Sequence, residues 1–284
     1  MNKSKKSAAS ISVFSNFLLV LIKIVVGFLT GSVSIISEAA HSAIDLLTAL
    51  IAYYAVSTSD KQPDHNHTYG HGKIEDISGA VEAVLIIAAA LWIIYEASQK
   101  LFIEAMPKDL GYGIVIMIIA IIVNYFVSRR LLQVAKITQS QALEVDALHL
   151  KADIWTSVGV MTGLVAIKVT GLTWLDPVIA IAVALIIFKA GYAMTKKSLS
   201  ELVDSALPDE EQAIIRDIIE NHPEIIDYHL LRTRRSGSTR LVDVHVILEA
   251  DLHLQQVHDI CDEIEMRIQA RFSPCDVVIH SEPC

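Results

Sequence analysis

Six apolar stretches dominate the first 197 residues, over 11–30, 33–56, 77–102, 110–128, 143–170 and 174–195. Each is near the ~20 residues that a helix needs to cross the hydrocarbon core of a bilayer. A chain segment in lipid must satisfy its backbone polar groups internally, so runs of this length predict transmembrane helices rather than strands of an open sheet. Composition agrees: hydrophobic residues make up 53% and charged residues 19%, against about 25% charged in an average soluble domain, and the mean hydropathy is +0.48. An ordinary soluble enzyme and a disordered chain are both excluded. The net charge of −9 argues against a nucleic-acid partner.

The segment Met1-Asn2-Lys3-Ser4-Lys5-Lys6 resembles the start of a signal peptide, but no small-residue cleavage site follows, so the first helix is expected to be retained. Basic residues set the orientation. Lys3, Lys5, Lys6, Lys61, Lys73, Arg129, Arg130, Lys136, Lys196 and Lys197 flank one side of the spans; Lys100, Lys108 and Lys168 flank the other. The excess places both termini in the cytoplasm and leaves short external loops at 30–32, 103–109 and 170–173. The three cysteines, Cys261, Cys275 and Cys284, are odd in number and form no CxxC, so no disulfide framework is expected.

From residue 198 the chain reads as a soluble domain. Pro208-Asp209-Glu210-Glu211 opens a helix with acids at its positive end, and Ile214, Ile215, Ile218 and Ile219 give that helix an apolar stripe. Strands are predicted over 228–233 and 241–248, a second helix over 254–271 and a last strand over 276–280. The order αββαβ points to a small α+β sandwich. The fold expected is therefore a membrane α-helical bundle of six transmembrane helices, residues 1–197, with a C-terminal α+β cytoplasmic domain, residues 198–284.

Ionisable side chains inside apolar spans are costly and usually functional. The second span carries His41 and Asp45, and the fifth carries His149 and Asp153. Each pair is four residues apart and so shares one helix face. Two imidazoles and two carboxylates make a four-ligand set suited to a tetrahedral ion such as Zn²⁺. Glu38 and Glu82 are candidates to line an aqueous cavity, and Asp146 to cap the fifth helix. The loop Pro63-Asp64-His65-Asn66-His67-Thr68-Tyr69-Gly70-His71-Gly72-Lys73 is dense in metal donors, with glycines that let the backbone turn about an ion. His229, His245, His258, His280 and Glu282 come from different elements of the tail, and spacing leaves open whether they share a site.

At these residues the chain resembles the cation diffusion facilitator family, nearly end to end. The most specific pieces are Ser37 to Asp45, Tyr69-Gly70-His71-Gly72-Lys73, Leu148 to Asp153 and Leu231-Arg232-Thr233-Arg234. The resemblance implies a homodimer of six-helix units in the bilayer of the cell membrane (the inner membrane in a bacterium), with ferredoxin-like cytoplasmic domains. It implies a transport site at His41, Asp45, His149 and Asp153, and a loop site at Asp64, His67 and His71, with His65 outside it. It further implies a binuclear cytoplasmic site at His229, His245, His258, His280 and Glu282, and a membrane-to-tail charge interlock between Lys73 and Asp204. Compact bacterial members carry aspartate at the position of His41. The pattern of two histidines and two aspartates resembles the zinc-selective branch, which places Zn²⁺ ahead of Cd²⁺, Fe²⁺, Co²⁺, Ni²⁺ or Mn²⁺. Glu282 replaces an aspartate, keeping the charge on a longer arm.

The expected function is export of divalent metal from the cytoplasm, as a Zn²⁺/H⁺ antiporter working by alternating access, with protons as counter-ion and Leu148 as a packing gate beside the site. Zn²⁺ needs neutral imidazole and ionised carboxylate, and unperturbed imidazole titrates near pH ~6.5, so one ligand set can serve ion and proton in turn. No HExxH and no nucleophile elbow occurs, so an enzyme is not expected. The alternative is a membrane-anchored zinc sensor that does not transport.

Overall fold

A computed structural model describes residues 2–30, 33–100, 111–170, 172 and 174–284. The external loops expected at 30–32, 103–109 and 170–173 fall wholly or partly outside the described residues, as does the side chain of Glu38. The chain divides into two compact units, Met1–Leu199 and Ser200–Cys284.

The first unit holds six long helices: α1 (Asn2–Thr30), α2 (Val33–Ser59), α3 (Lys73–Lys100), α4 (Gly111–Thr138), α5 (Gln141–Thr170) and α6 (Leu175–Leu202), the last running just past the unit boundary. Five of them are long and apolar enough to cross a membrane; α5 is not among these. Its N-terminal half carries Glu144, Asp146, His149, Lys151 and Asp153, which lowers its hydropathy at the turns that matter most for chemistry. Helix α1 packs on α2 and α4, α4 on α5, and α5 on α2 and α3. Small residues and leucines fill the seam, among them Ala8, Ala9, Ala55, Val56, Leu131, Leu143, Ala147 and Leu150. Large apolar side chains such as Phe14, Phe28, Trp92 and Phe126 point outward, where lipid rather than water is their natural solvent.

Several helices outrun their apolar stretches. Between the apolar stretches 110–128 and 143–170 the chain does not leave the helix at once: α4 runs on to Thr138 and breaks at Gln139 and Ser140, where Gln139 takes φ 54°. Asp146 does not cap α5 as expected: it is the sixth residue of that helix and is buried. At the start of α1, Lys5 is not a loop charge but is 1% exposed, with Nζ 3.1 Å from both Asp60 and Glu75. Glu75 also accepts hydrogen bonds from Ser59 at 2.7 Å and from Ser140. Four helix ends are joined through one buried carboxylate, and this is why the helices can extend beyond the hydrocarbon pattern: their polar turns are satisfied by each other.

The second unit has α7 (Asp209–Glu220), β1 (Asp227–Ser236), β2 (Thr239–Leu248), α8 (Leu254–Arg271) and β3 (Cys275–Pro283). Its sheet order is β1-β2-β3, with β1 antiparallel and β3 parallel to β2. Val242, Val244, Val246 and Leu248 face the helices and pack with Ile215, Ile219, Ile260, Ile264 and Ile268. Burying each such side chain fully contributes about 1.5–3 kcal/mol, which is what holds the two helices to one face of the sheet. The other face, carrying Asp243 and His245, is left open.

Candidate metal centres

The pairing of α2 with α5 brings the two His/Asp pairs together. His149 Nε2 lies 3.3 Å from Asp45 Oδ1 and 3.9 Å from Asp153 Oδ2. Ligand atoms of His41, Asp45 and Asp153 all lie within 4.8 Å of one another. Asp45 and His149 are buried, and His41 is exposed. Asp153 Oδ2 is buried with no hydrogen-bond partner among the described residues. A buried carboxylate oxygen without a donor is unfavourable unless a cation meets it, so the donor set fits a borderline divalent ion. Leu148 is half-buried and packs against the cluster containing Ala83, Ile86 and Ile187.

Two buried charges near this site were not read from the sequence as its neighbours. Lys23, in α1, donates to Ser42 Oγ at 2.7 Å. Glu82, in α3, accepts a hydrogen bond from Ser78 at 2.8 Å and interacts electrostatically with Asp146 and His149. The signal for Lys23 was available, because a lone lysine inside an apolar run is itself unusual.

In the loop, Asp64 and His67 exchange backbone hydrogen bonds at 3.2 Å, and Asp64 Oδ1 accepts the amides of His67 at 2.8 Å and Asn66 at 2.9 Å. The His67 amide, the largest influence, holds the Asp64 carboxyl below the usual carboxylate range. His67 Nδ1 is 3.3 Å from Asp64 Oδ1 and His71 Nε2 is 3.2 Å from Asp64 Oδ2. Gly70 supplies the turn that returns His71 to the aspartate, with φ +80°, a region few side chains tolerate. His65 is exposed and outside the triad.

In the tail, His229 pairs across the ladder with His245, and His245 with His280. The three rings form a row, with centroids 5.1 Å and 4.6 Å apart. Glu282 lies two residues beyond His280 on the same strand, so it reaches the same face. Its Oε1 is 2.8 Å from His245 Nδ1 and 3.6 Å from His280 Nε2, and its Oε2 is 3.5 Å from His229 Nε2. The contact with His245 holds the Glu282 carboxyl below the usual range. His258 is not brought to this row: it lies on α8 and pairs with Asp262 at 3.4 Å. A β-bulge shapes the row. Between His229 and Arg232 one extra residue enters β1, and Leu230 takes φ 54°. The bulge flips the strand's parity, so His229 stays on the open face while Thr233 turns inward, where its Oγ1 accepts the Leu207 amide at 3.1 Å.

Lys73 opens α3, in the first unit. Asp204 belongs to the second unit, where Arg234 Nη1 is 3.4 Å from its carboxylate.

A helical bundle with buried imidazole and carboxylate donors on two facing helices, followed by a small α+β domain, defines a multi-pass membrane transporter of cations. Residues 9–203 match the family model "Cation efflux transmembrane domain", and residues 207–284 match "Cation efflux protein, cytoplasmic domain". An uncharacterized transporter of Synechocystis sp. is 35% identical over 256 residues, covering 90% of this chain and 83% of its own. The cation-efflux pump FieF of Escherichia coli is 34% identical over 272 residues, covering 94% of this chain and 89% of its own. Among solved structures, CzrB, described there as a candidate zinc transporter, is 30% identical over 28% of this chain and 99% of its own, with a TM-score of 0.27. The chain belongs to the cation efflux family of transporters.

Proposed function

We propose that this transporter exports Zn²⁺ from the cytoplasm in exchange for protons, with His41, Asp45, His149 and Asp153 as the transport site. The observation that carries the reading is the convergence of four donors from α2 and α5, with an orphaned oxygen on Asp153. The balance is simple. Zn²⁺ displaces protons from imidazole and carboxyl groups on loading, and protons from the far side displace Zn²⁺ when the site opens there. Rocking of α2 and α5 against neighbouring helices switches access, with Leu148 packing as the gate.

In this reading residues 1–197 form the transport domain and 198–284 the cytoplasmic metal-binding domain, both termini are cytoplasmic, and two copies form a homodimer. Asp64, His67 and His71 hold a second ion. The row His229, His245, His280 and Glu282 takes a regulatory ion. Adding His258 to make the site binuclear requires it to leave Asp262. Lys73 and Asp204 form the charge interlock between the two domains.

The test is zinc flux in proteoliposomes under an imposed pH gradient. Gradient-driven Zn²⁺ uptake is expected in the parent and is expected to be lost in Asp45→Ala, which removes one of four ligands and one of the two carboxylates that balance the ion's charge. His41→Asp is expected to admit Cd²⁺. Zn²⁺ transport at the parent rate in Asp45→Ala rejects the site. Metal binding without flux leaves the sensor reading.

A further inference from the structure

Lys23 is an ammonium placed among hydrocarbon. Ile22 and Ile24 flank it in the C-terminal third of α1, and it is only 6% exposed. Its Nζ donates to Ser42 Oγ at 2.7 Å, and Ser42 follows the ligand His41 in α2 and is itself buried. Ser42 also stands three residues before Asp45 and so shares a face of α2 with it. A third helix thus supplies a fixed positive charge next to the stretch of α2 that carries the carboxylate Asp45.

We propose that Lys23 is the resident countercharge of the transport site, stabilising its carboxylates when the ion has left and weakening the hold on the ion when it is present. This rests on the reading that His41, Asp45, His149 and Asp153 hold the transported ion. Two carboxylates without a cation are unfavourable inside a bundle of low dielectric. An ammonium on a neighbouring helix offsets part of that cost whenever the carboxylates stand ionised without the metal ion. The same charge opposes Zn²⁺ by Coulomb repulsion, worth about tenfold or more in affinity at the effective dielectric of a protein site. A carrier has to let go as well as bind, and a tethered cation serves that need without occupying a ligand position. A role confined to tying α1 to α2 through Ser42 predicts the opposite sign, because loosening the bundle would weaken metal binding.

The experiment uses the full-length chain carrying Asp64→Ala, His67→Ala, His229→Ala and His245→Ala, so that the loop and tail sites are silenced. Zn²⁺ binding is followed by equilibrium dialysis in lipid nanodiscs. The background chain is expected to retain one ion per copy. Lys23→Met and Lys23→Gln, the latter still able to hydrogen-bond Ser42, are expected to bind that ion about tenfold tighter, and Lys23→Arg to stay within about threefold of the background. Should Lys23→Met fail to fold, Lys23→Gln carries the comparison. Equal or weaker binding in the folded neutral variants, with the stoichiometry kept, overturns the countercharge alone. No binding in the background chain overturns the site assignment and the countercharge together.

Discussion

His41 and Asp45, like His149 and Asp153, stand one helical turn apart, and that spacing is enough to put each pair on one face. What the spacing could not supply is the meeting of the two faces, where His149 reaches 3.3 Å from Asp45 across 104 positions of sequence. The tail makes the same point with different geometry. His229, His245 and His280 were visible as donors, but the row they form depends on strand order and on a bulge at Leu230. His245 sits at its centre and also contacts Glu282 at 2.8 Å. His245→Ala is therefore expected to weaken Zn²⁺ binding in the tail at least about 100-fold, the share of one ligand in a structural zinc site. In a calorimetric titration of the full chain one binding phase should vanish; an unaltered titration would place the tail metal elsewhere.

Among the elements, the tail helices and strands followed their patterns closely because each buries a single apolar face, and period 3.6 or 2 records that face directly. The membrane helices did not end where their apolar runs ended. Lys5, Asp60 and Glu75 form a buried ionic joint, and hydropathy cannot tell a charge paired inside a bundle from one in solvent. A second ionic joint ties α7 to the sheet. Arg240 grips Glu211 through two bonds, 2.7 Å and 3.0 Å long, and Arg235 adds a third at 2.7 Å. Burial pushes the Glu211 carboxyl up, but the hydrogen bond from Arg240 and the charges of Arg235 and Arg240 outweigh it and hold the group below its usual range. A carboxyl lowered on folding stabilises the fold fully above its unfolded value, near ~4.3, and loses that contribution as pH falls through the lowered folded value. Glu211→Gln is expected to destabilise the tail by about 1 kcal/mol at pH 7, a figure reduced by solvent screening. The difference from the parent should shrink as the pH is taken below ~4. Hydrogen exchange of tail amides in the full chain at both pH values measures this; a difference that grows in acid would contradict it.

For the molecule as a whole, the excess of basic residues on one side of the spans predicts a cytoplasmic tail. Cys284 is exposed on that tail, so a membrane-impermeant maleimide should label it only after cells are opened. Labelling in intact cells would reverse the orientation. The sequence by itself determined the helical membrane unit, the αββαβ tail and which side chains are available as metal donors. These are local properties, set by run length, by periodicity and by which side chains can bind a metal. Tertiary structure alone decided which donors meet, which charges are buried and which helices share them. The α2–α5 pairing brings His149 to Asp45, Lys23 reaches Ser42 from α1, His258 stays with Asp262, and Glu75 joins four helix ends. The physical reason is that an ionisable group is expensive to bury alone and tolerable when paired, and the partner is chosen by packing between segments far apart in the chain.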